Sequence, residues 1–116
     1  MNIKYVYHRD IGIPTRYRRP SGRKLLEYTY HAQQEAQRDR YGVIELPRVL
    51  DTDTAQLIEL YIGEGDTPVK YVYRTRYNER FDLVLVVTAN WRVIALWLND
   101  KRDNHRTLNR AKYAKP

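Results

Sequence analysis

The stretch that decides the fold runs from residue 55 to residue 99: AQLIELYIGEGDTPVKYVYRTRYNERFDLVLVVTANWRVIALWLN. It divides into four runs, Ala55–Ile62, Pro68–Tyr77, Phe81–Thr88 and Trp91–Leu98, dominated by Val, Ile, Leu, Tyr and Trp. Such residues suit a pleated, partly buried surface. The runs are separated by Gly63-Glu64-Gly65-Asp66, Tyr77-Asn78-Glu79-Arg80 and Ala89-Asn90, and Asn99-Asp100 closes the last. Connections this short join only antiparallel neighbours, because parallel pairing needs a long crossover. The stretch therefore predicts an up-and-down, four-stranded antiparallel meander.

The strands differ in what they reveal. Phe81–Val87 is apolar on both faces and should be the most buried. In the first run, alternation puts Ile58, Leu60 and Ile62 on one face, with Glu59 and Tyr61 on the other. In the second, Val69, Tyr71, Tyr73, Thr75 and Tyr77 oppose Lys70, Val72, Arg74 and Arg76. Three cations on one side of one strand require either a wet face or an anion, since unpaired buried charge is very costly.

Working outward, His31–Tyr41 is the one good helical stretch, built on Ala32, Gln33, Gln34, Glu35, Ala36, Gln37 and Arg38. Thr29 is placed to cap its N-terminus and Gly42 to stop it, and two small alanines allow close approach to a sheet. Pro47–Leu50 could hold a second short helical turn. Met1–Tyr7 alternates as a short strand would, either pairing with an edge of the meander or remaining a loose arm. The fold class is thus α+β: one main helix packed on a four-stranded antiparallel meander, with an N-terminal strand in reserve and a basic C-terminal tail. Residues 1–24 form a basic arm, 25–100 the core domain, and 101–116 a tail that must lie on the core through Leu108 and Tyr113 or stand free of it.

Charge is distributed unevenly along the 116 residues. Residues 1–24 carry seven Lys/Arg against Asp10 alone, and 101–116 carry six against Asp103 alone, while the segment between is net −4 within an overall +7. Basic ends around an acidic body favour a polyanion such as nucleic acid. There are no cysteines, which removes disulfides and thiolate metal sites. The longest apolar run is too short for a membrane span, and the start lacks a signal-peptide core, so a cytoplasmic protein without membrane contact is expected.

The chemistry available is narrow. His8, His31 and His105 have no metal-ligand spacing, so neither metal nor other cofactor is expected. Gly63-Glu64-Gly65 lacks the lysine and helix of a phosphate loop, and Asp51 and Asp53 read as capping or solvated loop residues. Arginine and tyrosine interleave in Arg16-Tyr17-Arg18-Arg19, which with Arg23 and Lys24 suits phosphate contact plus base stacking. Lys70, Arg110 and Lys112 extend the nucleic-acid-binding candidates. Metal-free RNA cleavage needs a base, an acid and cations around the phosphorane, for which histidine and arginine are apt.

A helix carrying His31-Ala32, then the meander, then a basic tail resembles the small RelE/BrnT-like ribonuclease toxins of the barnase–EndoU–colicin–RelE fold. Tyr28-Thr29-Tyr30-His31-Ala32 with Arg38-Asp39-Arg40-Tyr41-Gly42 is similar to the opening of small phage and bacterial domains near that class. Trp97-Leu98-Asn99, Asp103-Asn104-His105-Arg106-Thr107-Leu108 and Lys112-Tyr113 look like a phage-type ending. The resemblance implies an RNA-directed protein and nominates His31, Arg74, Arg76, His105 and Arg106 as catalytic. The expected partner is RNA or another polyanion. The alternative is a non-enzymatic phage-type inhibitor or adaptor that meets a host protein, or a cognate antitoxin, through aromatic and basic surface.

Overall fold

A strand that is apolar on both faces belongs in the middle of a sheet, and Phe81–Thr88 lies there. The computed structural model describes residues 2–103 and 110–116. Its strands are β1 (Tyr5–His8), β2 (Arg23–Leu25), β3 (Glu27–Tyr28), β4 (Val49–Asp51), β5 (Gln56–Ile62), β6 (Pro68–Arg76), β7 (Phe81–Thr88) and β8 (Arg92–Asp100), with one α-helix, α1 (Tyr30–Gln37). The protein is α+β, but its main sheet is wider than a four-stranded meander. Six strands run in the order β1-β5-β6-β7-β8-β3, while β2 and β4 form a separate ribbon. Neighbours from β1 to β8 are antiparallel, and β3 joins β8 in parallel over two residues.

The sheet separates two layers. On its first face Leu60, Ile62, Tyr71, Tyr73, Leu83, Leu85 and Leu96 form the main core with Ala32 and Ala36 of α1, Ile44, Leu50 and Tyr17. On the second face Ile58, Val72 and Val84 make a smaller cluster. Ile58 therefore does not share a face with Leu60 and Ile62. A register shift between Leu57 and Glu59 inserts it as an extra residue, and a β-bulge of this kind breaks the alternation.

Three further expectations change. The helix stops at Gln37 rather than Tyr41, because Asp39 turns its carboxylate to the Tyr41 amide (3.1 Å) and to the Leu98 amide of β8 (3.2 Å). A short acidic side chain that bonds backbone in this way competes with helix. Gly42, at φ 120°, lies beyond the helix end and is not its cap. Pro47–Leu50 holds no helical turn: Val49 and Leu50 pair with Leu25 and Lys24 in the ribbon. The Thr29 cap is present, its Oγ1 accepting from the Ala32 amide at 3.1 Å.

Residues 1–24 are built into the domain. β1 pairs with the β5 edge, and Tyr7 and Tyr17 are buried in the core. At the other end Tyr113 lies on the sheet, and the Ala114 amide donates to the Val6 carbonyl (2.8 Å). Leu108 is outside the described residues. Among the described residues, no helix is long and apolar enough to cross a membrane.

Candidate nucleic-acid interface

The basic segment 16–24 is held at both ends. At one end the Tyr17 hydroxyl donates to Asp66 in the β5–β6 turn, and its ring packs 5.7 Å from that of Tyr7. Burial and the Asp66 bond push the Tyr17 hydroxyl up to about 12. Tyr17 is thus a core anchor and is not free to stack on a base. Arg16 folds back on it, donating to the Tyr17 hydroxyl (2.8 Å) and pairing with Asp66 (3.5 Å). At the other end the Gly22 carbonyl accepts from the Thr52 amide (3.0 Å) and hydroxyl (2.8 Å), and the Gly22 amide donates to Asp53 (3.1 Å).

Between and just beyond these anchors stand Arg18, Arg19 and Arg23, all exposed. Among the described residues none of the three makes an ion pair with an acid, whereas Arg9, Arg16, Arg74, Arg80, Arg92 and Arg102 all do. Lys24, in β2, turns inward until its Nζ lies 5.5 Å from the centroid of the Trp91 ring. That indole stacks on Tyr71 at 5.6 Å with an interplanar angle of 4°, and Tyr73 lies 6.3 Å away on a tilt. Charge and aromatic surface thus adjoin on the first-face side of the sheet.

The nominated catalytic residues are not brought together. His31 is exposed on α1, beside Glu35 (3.4 Å), and borders a cleft of about 440 Å³ with Arg38, Asp39 and Trp97. Arg74 points to the opposite face and is buried, at 8% side-chain exposure. Its Nε donates to Asp82 (2.7 Å), and its other nitrogens donate to the carbonyls of Asp103 (3.0 Å) and Asp100 (3.3 Å). Of the three second-strand cations, Arg74 thus meets an anion, Lys70 lies partly exposed over the Tyr61 ring, and Arg76 is exposed. Arg76 is exposed at the end of β6 and borders a second cleft of about 430 Å³ with Arg48 and Tyr77. His105 and Arg106 lie outside the described residues. No group of three potential metal ligands occurs among the described residues.

Lys70 and Lys112 meet on the second face, 4.2 Å and 5.7 Å from the Tyr61 ring centroid. Beside them Glu59, at 13% side-chain exposure, accepts from Tyr61 (2.7 Å), Tyr113 (2.5 Å) and Lys112 (3.5 Å). Burial pushes its carboxyl up, but the bonds from Tyr113 and Tyr61 and the Lys112 charge outweigh this and hold it below the usual range. Because Glu59 offsets Lys112, this pair offers a polyanion less than the arm does. Arg110 opens a short 3₁₀ turn, Arg110–Lys112, and its side chain is outside the description.

Sequence reasoning missed Glu59 and Trp91. The signal for the first was a lone carboxylate amid apolar strand residues; for the second, an aromatic at a tight turn. No family model, no curated protein and no solved structure matches this chain.

Proposed function

We propose that the protein is an RNA-directed, phosphate-contacting binding domain that works in the cytoplasm. One observation carries this: Arg18, Arg19 and Arg23 are exposed, lack acidic partners among the described residues, and sit on backbone fixed by Tyr17 and Gly22. Cations held in place but not neutralised are what a phosphate chain needs, and arginine gives each contact a bidentate geometry. One helix over a largely antiparallel sheet with basic ends supports kinship with RelE-like RNA-directed domains. Binding is the better supported half of that likeness. A cleavage site built on His31 and Arg74 would have to span both faces of the sheet, and Arg74 is committed to Asp82.

The test is fluorescence anisotropy with a labelled single-stranded RNA. The triple variant Arg18→Ala, Arg19→Ala, Arg23→Ala is expected to lose affinity while its thermal midpoint holds, since the three side chains are exposed. Unchanged affinity would overturn the proposal.

The adaptor reading has its own supporting observation, the half-exposed Trp97 beside the His31 cleft at the β8 edge. Stoichiometric recovery of one host protein that Trp97→Ala abolishes, with no RNA affinity, would favour it.

A further inference from the structure

The β7–β8 turn contains an unusual choice of residue. Trp91 has a φ of 68°, in the left-handed region that glycine and asparagine favour at hairpin turns. Tryptophan is among the costlier residues to place there, so the position is held for its ring. One face of that ring lies flat on Tyr71, and Tyr73 supports it from the side. The ring is not sealed into the core: the indole is half-buried, and Lys24 Nζ lies over it at 5.5 Å. A lysine is a poor permanent cover, because its ammonium stays hydrated and its stem turns easily. Arg19 is exposed on the segment before β2, and its charge opposes the rise that burial imposes on the Tyr73 hydroxyl. Arg23 precedes Lys24 in β2 and, by strand alternation, stands exposed on the other side of the ribbon.

A half-buried indole braced by Tyr71 and Tyr73, with a movable cation over the ring, is suited to a flat anionic ligand. We propose that Trp91 is a stacking platform for one unpaired base of single-stranded RNA, with Lys24 taking an adjacent phosphate and the exposed arginines of residues 18–23 following the strand beyond it. The proposal rests on the RNA reading above and makes it specific. A paired base has both faces occupied by its neighbours, so a duplex could engage the arginines but not the indole. Base–aromatic stacking of this kind is worth about 5- to 150-fold in affinity per base. It is indifferent to sequence, because every base has a π-face.

The chain has two tryptophans, so Trp97→Phe leaves Trp91 as the sole indole. Trp97 is in register with Val84 and shares the opposite sheet face, so the change leaves the proposed platform intact. This variant is titrated with a short oligouridylate and with a fully paired RNA duplex without loops or overhangs, of equal phosphate count, at one salt concentration. The expected result is that oligouridylate quenches Trp91 emission and binds about 5- to 150-fold more tightly than the duplex, which leaves the emission unchanged. Trp91→Leu should then reduce oligouridylate affinity to that of the duplex. Lys24→Ala, which uncovers the ring without touching Tyr71, should keep the quenching, so the test survives if Trp91→Leu fails to fold. Equal affinity for the two RNAs with no quenching would overturn the stacking inference and leave the phosphate-binding reading standing. Binding of neither RNA would overturn both.

Discussion

Replacing Arg74 by alanine should damage the fold far more than any nucleic-acid affinity. The side chain is 8% exposed and its partner Asp82 is 21% exposed. Truncation removes the 2.7 Å ion pair and one of the donors to each of the Asp103 and Asp100 carbonyls, both of which keep a bond from Asn99 Nδ2 at 3.2 Å. Breaking a buried pair by deleting one member costs roughly 3–5 kcal/mol. Asp82 keeps some access to water and can regain part of its hydration, which puts the expected loss at the lower end, about 3 kcal/mol. With a urea dependence of about 1.5 kcal/mol per molar, the unfolding midpoint should fall by about 2 M. The double variant Arg74→Met, Asp82→Leu should recover most of this, because a well-packed apolar pair often matches a buried ion pair. A loss below about 1 kcal/mol in Arg74→Ala, together with weakened RNA binding, would refute the reasoning and return Arg74 to a ligand-facing role.

Acid should loosen the hold of Tyr113 and Lys112 on the sheet. The folded-state pKa of Glu59 is depressed, so its contribution is present above the unfolded carboxyl value and is lost as pH falls through the lower folded one. Glu59→Gln should therefore lower stability at neutral pH and flatten the acid limb of a pH–stability curve; an unaltered acid limb would count against it. Thr29→Ala removes the 3.1 Å cap from an eight-residue helix and should cost about 1 kcal/mol by chemical denaturation, whereas Thr29→Ser should cost little.

Much of this fold was legible because local chemistry decided it. Phe81–Val87 carries apolar residues on both faces, with Asp82 near its start the one exception, as suits an inner strand, and Thr29 precedes a helix it can cap. The rest depended on contacts between residues far apart in the chain. The helix ends early because Asp39 bonds the Leu98 amide on β8, and no helix propensity contains that information. The bulge at Ile58 cannot be seen in a pattern of alternate residues, since one inserted residue reverses the facing of the rest of its strand. β2, β3 and β4 are two or three residues each, too short to leave a periodic trace.

The candidate site divides in the same way. The run of basic side chains from Arg16 to Lys24 announced the arm, but only packing could show Tyr17 as its anchor. That the cations of β6 must meet either water or an anion was readable from strand alternation, but not which of the two Arg74 meets. Arg74 meets Asp82, which lies one diagonal step away on β7, since Asp82 itself pairs with Arg76. Trp91 escaped notice because its value lies in a parallel ring and an overlying lysine, neither of which has a sequence signature.

The central claim is that Arg18, Arg19 and Arg23 bind a phosphate chain, and the salt dependence of RNA affinity tests it most directly. Dissociation constants for a labelled oligouridylate are measured over a series of potassium chloride concentrations, for the protein and for the triple alanine variant. Each phosphate contact on a single strand adds about 0.7 to the slope of log affinity against log salt, so removing three should flatten it by about 2. A steep slope in the protein and a flatter one in the variant is the predicted result. Affinity indifferent to salt, or identical slopes for the two proteins, would contradict it.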